Sequence, residues 1–171
     1  SAASAARSTT PEPPVNSARS TRCLTAHCQT VIDVNLTSGF PAAKHLVPAL
    51  RRRGRGSLVF TPSFVGHTVG LPGMAAYAVA KAGLIGMTQV MAAELGPESI
   101  RVHALLPGGT KTAMAGGDPA AHDWIGSLHA LERMAEPSGI ARAALFLISD
   151  QSSSVTGSAL IADGGNSIAR I

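Results

Sequence analysis

A chain of 171 residues makes one domain of ordinary size and excludes a second large one. Hydrophobic residues at 45% against 14% charged supply a buried core, while 18 glycines and only 4% aromatics favour a layered α/β fold over an aromatic-rich β-sandwich. The net charge of +4 raises anionic partners, yet the basic residues outside the run Arg51, Arg52, Arg53 and Arg55 form no stripe, which points away from nucleic acid and leaves that run as a solvated helix end.

In chain order, residues 1–26 are rich in Ser, Ala, Arg and Pro and read as a disordered tail, with residues 27–171 as the folded unit. The tail resembles an organellar transit peptide in being Arg- and Ser-rich and acid-poor. It lacks an initiating Met and an amphipathic period, so a tail or a cloning or frame-related remnant is expected instead. Cys23 and Cys28, with His27 between them, are too few for a disulfide framework or a zinc site, and reduced thiols in a cytoplasmic protein are expected. No metal site is expected. No apolar run is long enough to span a bilayer, so no membrane partner is expected either.

Val31, Val34, Leu36, Phe40, Leu46 and Leu50 follow a helical period over about residues 27–53, which ends in cations and then Gly54. Pro41 and Pro48 interrupt it, and a kink near residues 37–41 follows from the donor that proline lacks. Ser57-Leu58-Val59-Phe60-Thr61 reads as a buried strand between Gly56 and Pro62. A Gly-rich loop leads into an Ala-rich helix over residues 75–95, closed by Gly96-Pro97. Residues 100–106 form the next strand, ended by Pro107-Gly108-Gly109. Helix is expected somewhere in 119–134 and again over 138–149 with Ser138 as N-cap; a last strand covers 158–162 before Asp163-Gly164-Gly165. The alternation predicts parallel strands joined by right-handed crossovers.

Chemistry concentrates in Tyr77-Ala78-Val79-Ala80-Lys81. A phenol and an ammonium four residues apart share one helix face, and a cation held near a phenol favours the phenolate. Such pairs also occur as ordinary surface residues, so the surroundings decide. These are, in order, Val34-Asn35-Leu36, Thr61-Pro62-Ser63, Pro72-Gly73-Met74-Ala75-Ala76-Tyr77, Lys81-Ala82-Gly83, Ile100-Arg101-Val102, Leu106-Pro107-Gly108, Phe146-Leu147-Ile148-Ser149-Asp150 and Val155-Thr156-Gly157 through to Asp163-Gly164-Gly165. Their succession resembles the short-chain dehydrogenase/reductase family over about residues 30–167.

The resemblance implies a truncated Rossmann-like, doubly wound parallel sheet with flanking helices, and hydride transfer between NAD or NADP and a small alcohol or carbonyl substrate. It makes Tyr77 the acid/base, with Lys81 supporting the phenolate and binding the nicotinamide ribose. Ser63 becomes the hydrogen-bond partner of the substrate oxygen, and Asn35 the holder of a relay water. Pro107 and Gly108 would admit the nicotinamide, with Thr110 and Thr112 placed to contact its carboxamide or the phosphates. It also implies a homo-oligomer built on helices 30–49 and 75–95. The alternative is a non-catalytic member that only associates with itself or with full-length subunits.

Several positions depart from the family pattern. Ser63 precedes Tyr77 by 14 positions, one more than usual, so the loop holding His67 must absorb a residue; His67 itself is expected to be solvated. His103 stands where the family usually has Asn. The Gly-rich pyrophosphate turn is missing: Gly54-Arg55-Gly56 precedes a strand instead of following one, and Val59 replaces its third glycine. Substrate and the choice between NAD and NADP are therefore not legible. The strand over residues 57–61 should lie at a sheet edge with unpaired backbone groups, a setting that invites self-association.

Overall fold

A computed structural model describes residues 25–169. The tail expected over residues 1–26 lies almost wholly outside the described residues, as does Cys23; Thr25 and Ala26 open the first helix. Cys28 is disulfide-bonded, which corrects the reduced-thiol expectation. Spacing argues against a multi-bridge framework or a zinc site, but it places no bar on one bridge.

The long helical stretch breaks where proline requires it. Helix α1 (Thr25–Ile32) widens into a π-helical turn (Asp33–Thr37) before α2 (Gly39–Arg52). Pro41 has no N–H to offer the Thr37 carbonyl. The chain accommodates this by restarting, so that Pro41 falls in the first turn of α2, where backbone donors have no intrahelical partner in any case. In the widened turn the Ser38 N–H reaches back five residues to the Asp33 carbonyl at 3.0 Å. Arg51 and Arg52 close α2, as cations do at a helix C-terminus, and Arg51 also pairs with Glu98.

Three strands form one parallel sheet in the order β1 (Gly56–Phe60), β2 (Ile100–Pro107), β3 (Ala159–Ala162). Between them run α3 (Ala75–Leu95), α4 (Pro119–Ser127) and α5 (Pro137–Ile148). Ser138 does not cap α5. Pro137 takes the first helical position, for which its fixed φ is suited, and Glu136 becomes the N-cap.

Strand periodicity divides the burial between two faces. Leu58 and Phe60 of β1 with Ile100 and Val102 of β2 form the core with Ala43 and Val47 of α2 and Leu84, Met87, Ala92 and Leu95 of α3. The alternate residues face α5: Ser57 Oγ and Arg101 Nη1 both donate to the Leu147 carbonyl, each at 2.9 Å. Helices thus cover both faces of a parallel sheet, the doubly wound arrangement. Arg101 also donates to the Ser149 and Ser152 carbonyls and so satisfies the end of α5 with its guanidinium.

His103 accepts a bond from Arg101 through Nε2 at 3.0 Å and meets Ser158 Oγ through Nδ1 at 3.4 Å. Burial, reinforced by the Arg101 charge, lowers its pKa to about 4. It is a neutral core histidine hydrogen-bonded through both ring nitrogens.

Among the described residues β1 pairs with β2 alone, so one of its edges is open. Large apolar side chains are exposed on α2 (Phe40, Leu46), α3 (Val79, Val90) and α5 (Leu145, Ile148). No helix of the described residues is long and apolar enough to cross a membrane.

Candidate active site

The C-terminal end of β1 and the first two turns of α3 meet at Lys81. Its ammonium donates to the Thr61 carbonyl just past β1, at 3.1 Å, and stands 5.4 Å from the centre of the Tyr77 ring. The i, i+4 spacing on α3 makes that approach, and the strand-end carbonyl fixes the cation's position. Burial lowers the Lys81 pKa below the usual lysine value.

Ser63 lies two residues beyond Thr61 and is buried. Its Oγ accepts the Val65 N–H at 3.2 Å, which leaves the hydroxyl hydrogen to donate elsewhere. The loop that follows is a tight turn: the His67, Thr68 and Val69 N–H groups all return to the Phe64 carbonyl, and the Val69 carbonyl accepts from the Gly66 N–H. His67 is exposed at its tip. Gly66 has φ +87°, and a Cβ there would come within 2.8 Å of the Ala78 Cα. Only glycine lets this loop rest on the first turns of α3 beside Tyr77.

Asn35 sits in the π-helical turn, half-buried, and its amide nitrogen donates to the Val31 carbonyl at 3.0 Å. The next residue, Leu36, packs so closely on Gly83 of α3 that a Cβ there would meet Leu36 Cδ2 at 2.8 Å. The turn carrying Asn35 is therefore docked on α3 half a turn beyond Lys81.

Beyond β2, the Pro107-Gly108-Gly109 turn is held from several sides. The Gly108 N–H donates to the Ala162 carbonyl and the Gly108 carbonyl accepts from Thr110 Oγ1 at 2.9 Å. Thr112 is exposed and precedes a short 3₁₀ turn (Ala113–Ala115). Burial would raise the Asp163 carboxyl after β3, but the Ser167 hydroxyl and then the Ser167 and Gly165 N–H groups donate to it and hold it below the usual range. Ser167 Oγ meets Thr68 Oγ1 and so ties the loop after Ser63 to the turn after β3. Sequence reasoning missed Thr68, Ser167 and His129. Each acts through a contact far along the chain, and a lone hydroxyl or imidazole in a weakly patterned stretch gives no local signal.

The family described as enoyl-(acyl carrier protein) reductase matches residues 4–167. The chain belongs to the short-chain dehydrogenase/reductase family. It is 41% identical over 139 residues to a 2,5-dichloro-2,5-cyclohexadiene-1,4-diol dehydrogenase of Sphingobium indicum, an overlap of 78% of this chain and 55% of the relative. A 3-oxoacyl-(acyl-carrier-protein) reductase of Thermotoga maritima is 42% identical, over 79% of this chain and 55% of that protein. The chain thus spans about half the length of the curated relatives it matches. The crystal structure of a carveol dehydrogenase from Mycobacterium avium in complex with NAD is similar at a TM-score of 0.83 and 34% identity, covering 88% of this chain and 60% of that one. The expected Rossmann-like α/β fold is borne out by that likeness.

Proposed function

We propose that the chain carries the catalytic half of an NAD(P)-dependent oxidoreductase that interconverts an alcohol and a carbonyl compound. The observation that carries this reading is the single cluster at the end of β1: Lys81 fixed on the Thr61 carbonyl and over the Tyr77 ring, with the Ser63 loop seated on the same turns of α3. The donor set fits the nicotinamide–ribose half of such a cofactor: an ammonium, a phenol, a serine hydroxyl with its hydrogen uncommitted, and the Pro107-Gly108 turn. Among the described residues no Gly-rich turn follows a strand into a helix to take the pyrophosphate.

When bound, the nicotinamide supplies or accepts the hydride at carbon. Tyr77 Oη gives a proton to the carbonyl oxygen in reduction and takes it from the alcohol in oxidation. Ser63 Oγ donates to the same oxygen as charge builds on it. Lys81 would hydrogen-bond the ribose hydroxyls, and the amide oxygen of Asn35 would hold a water for proton exchange. Pro107 and Gly108 would form the face met by the nicotinamide, and Thr110 and Thr112 would contact its carboxamide or the phosphates. Relatives named for a cyclohexadienediol, a hydroxycyclohexanecarboxylate and cyclohexanol support a ring alcohol or its ketone as the first substrate class to assay.

Association belongs to the same proposal. The exposed Phe40 on α2 and Val90 on α3 rim an apolar groove between the two helices, which supports a homo-oligomer built on that face. The open edge of β1 supports the alternative, a non-catalytic chain that only associates. Turnover separates them: oxidation of cyclohexanol with NAD or NADP by the purified chain should fall by about 10²-fold or more in Tyr77→Phe. Equal turnover in the variant removes Tyr77 from the chemistry.

A further inference from the structure

The Gly108-Gly109 turn has all four of its backbone polar groups engaged, and one of them depends on a side chain from a distant segment. Gly108 donates to Ala162, its carbonyl accepts from Thr110, and the Gly109 carbonyl accepts from the Ala135 N–H at 2.8 Å. The fourth group, the Gly109 N–H, donates to His129 Nε2 at 3.1 Å.

That imidazole can accept only in one tautomer, and the structure selects it. His129 Nδ1 lies 2.7 Å from the Ile125 carbonyl, an acceptor, so Nδ1 carries the hydrogen and Nε2 presents a lone pair. The ring is 2% exposed and lodged between two glycine turns. A Cβ on Gly109 would meet its Cε1 at 2.9 Å, and one on Gly164 would meet its Cδ2 at 3.1 Å. The segment bearing it is pinned in turn, since the Leu131 N–H donates to the Gly164 carbonyl and Asn166 Nδ2 to the Leu128 carbonyl. His129 is therefore a wedge with one bond to α4, one to the turn after β2, and contact with the turn after β3.

We propose that His129 is a positioning residue: as the Nδ1–H tautomer it holds the Gly109 peptide and so sets the turn that faces the nicotinamide. The positioning role rests on the functional reading above; the clamp rests on geometry alone. Removing the acceptor leaves a half-buried N–H without a partner, and the turn should open to find one.

The test compares wild type with His129→Gln, which keeps an acceptor at about the Nε2 position, and His129→Phe, which keeps a ring without one. Amide hydrogen exchange at Gly109 should quicken by about tenfold or more in His129→Phe and stay within about threefold of wild type in His129→Gln. NADH or NADPH affinity, read by calorimetry, should follow the same order. On the wild-type chain, nitrogen NMR of the imidazole should show the Nδ1–H tautomer, which keeps the test open should His129→Phe not fold. Unchanged Gly109 protection in His129→Phe, or a hydrogen on Nε2, overturns the clamp whatever the cofactor does. Lost protection with unchanged affinity overturns the positioning role. A protected Gly109 in a wild-type chain that binds neither cofactor also overturns that role, through the functional reading and not through the geometry.

Discussion

Replacing His103 by Asn should remove a defined part of the acid sensitivity of folding. In the unfolded chain an imidazole titrates near 6.5, whereas in the fold burial and the Arg101 charge lower His103 to about 4. Above pH 6.5 both states are neutral there, and the group adds no pH dependence. As pH falls, the unfolded chain takes up a proton that the folded chain refuses, so stability declines from about pH 6.5 and levels off below the folded value. Each unit of separation is worth ~1.4 kcal/mol, so the loss reaches about 2.5 kcal/mol by pH 4.5. The carboxyls of Glu98, Glu136 and Asp163, all lowered, give up their contributions only below their ordinary values near 4 to 4.5, outside this window. Urea unfolding at pH 7.5, 6.5, 5.5 and 4.5 on wild type and His103→Asn measures the difference directly, because the other histidines are common to both. The stability gap between the two proteins should shift in favour of the variant by about 2 kcal/mol or more across the series. A gap that stays constant with pH refutes the neutral, Arg101-bonded histidine.

Two further substitutions probe the scaffold of the site. Gly66→Ala combines a positive φ with a clash against the Ala78 backbone, and should cost about 2 kcal/mol or more in urea unfolding while displacing the loop after Ser63. Arg101→Met removes the charged guanidinium bonds to the Leu147, Ser149 and Ser152 carbonyls, which keep only their neutral donors, Ser57 and Ser152 Oγ and the Ser152 and Val155 N–H groups. A fall of about 3 kcal/mol is expected, with hydrogen exchange quickening first at the end of α5; a loss spread evenly over the sheet would contradict this placement of the guanidinium.

Sequence reasoning reached the regular elements where one local force dominates. Residues 75–95 form a helix because an Ala-rich stretch runs without a proline until Gly96-Pro97 stops it, and the predicted limits match α3. β2 is buried on both faces and reads as an apolar run broken only by Arg101 and His103. Where two local signals competed, the weaker-looking one prevailed. Pro137 at the first helical position displaced the expected Ser138 cap, and the kink expected near Pro41 took the form of a π-helical turn upstream of it.

The weakly patterned stretch after Trp124 behaved differently. Its helix ends at Ser127, and beyond a few local turns the Leu131 and Ala135 backbone groups pair with Gly164, Gly109 and Lys111. No window of sequence contains those partners. The Tyr77–Lys81 pairing was legible because helix geometry alone creates it. The Thr61 carbonyl that anchors the lysine became visible only once β1 and α3 were packed together.

The central claim, a nicotinamide half-site around Tyr77 and Lys81, is tested most directly by calorimetric titration of the folded chain with NADH, NADPH and the reduced nicotinamide mononucleotide, on wild type and Lys81→Met. The account predicts saturable binding by wild type that weakens by about tenfold or more when the ammonium is removed, as expected for loss of a charged hydrogen-bond donor. A folded chain that binds none of the three, or binds them equally well without Lys81, contradicts it.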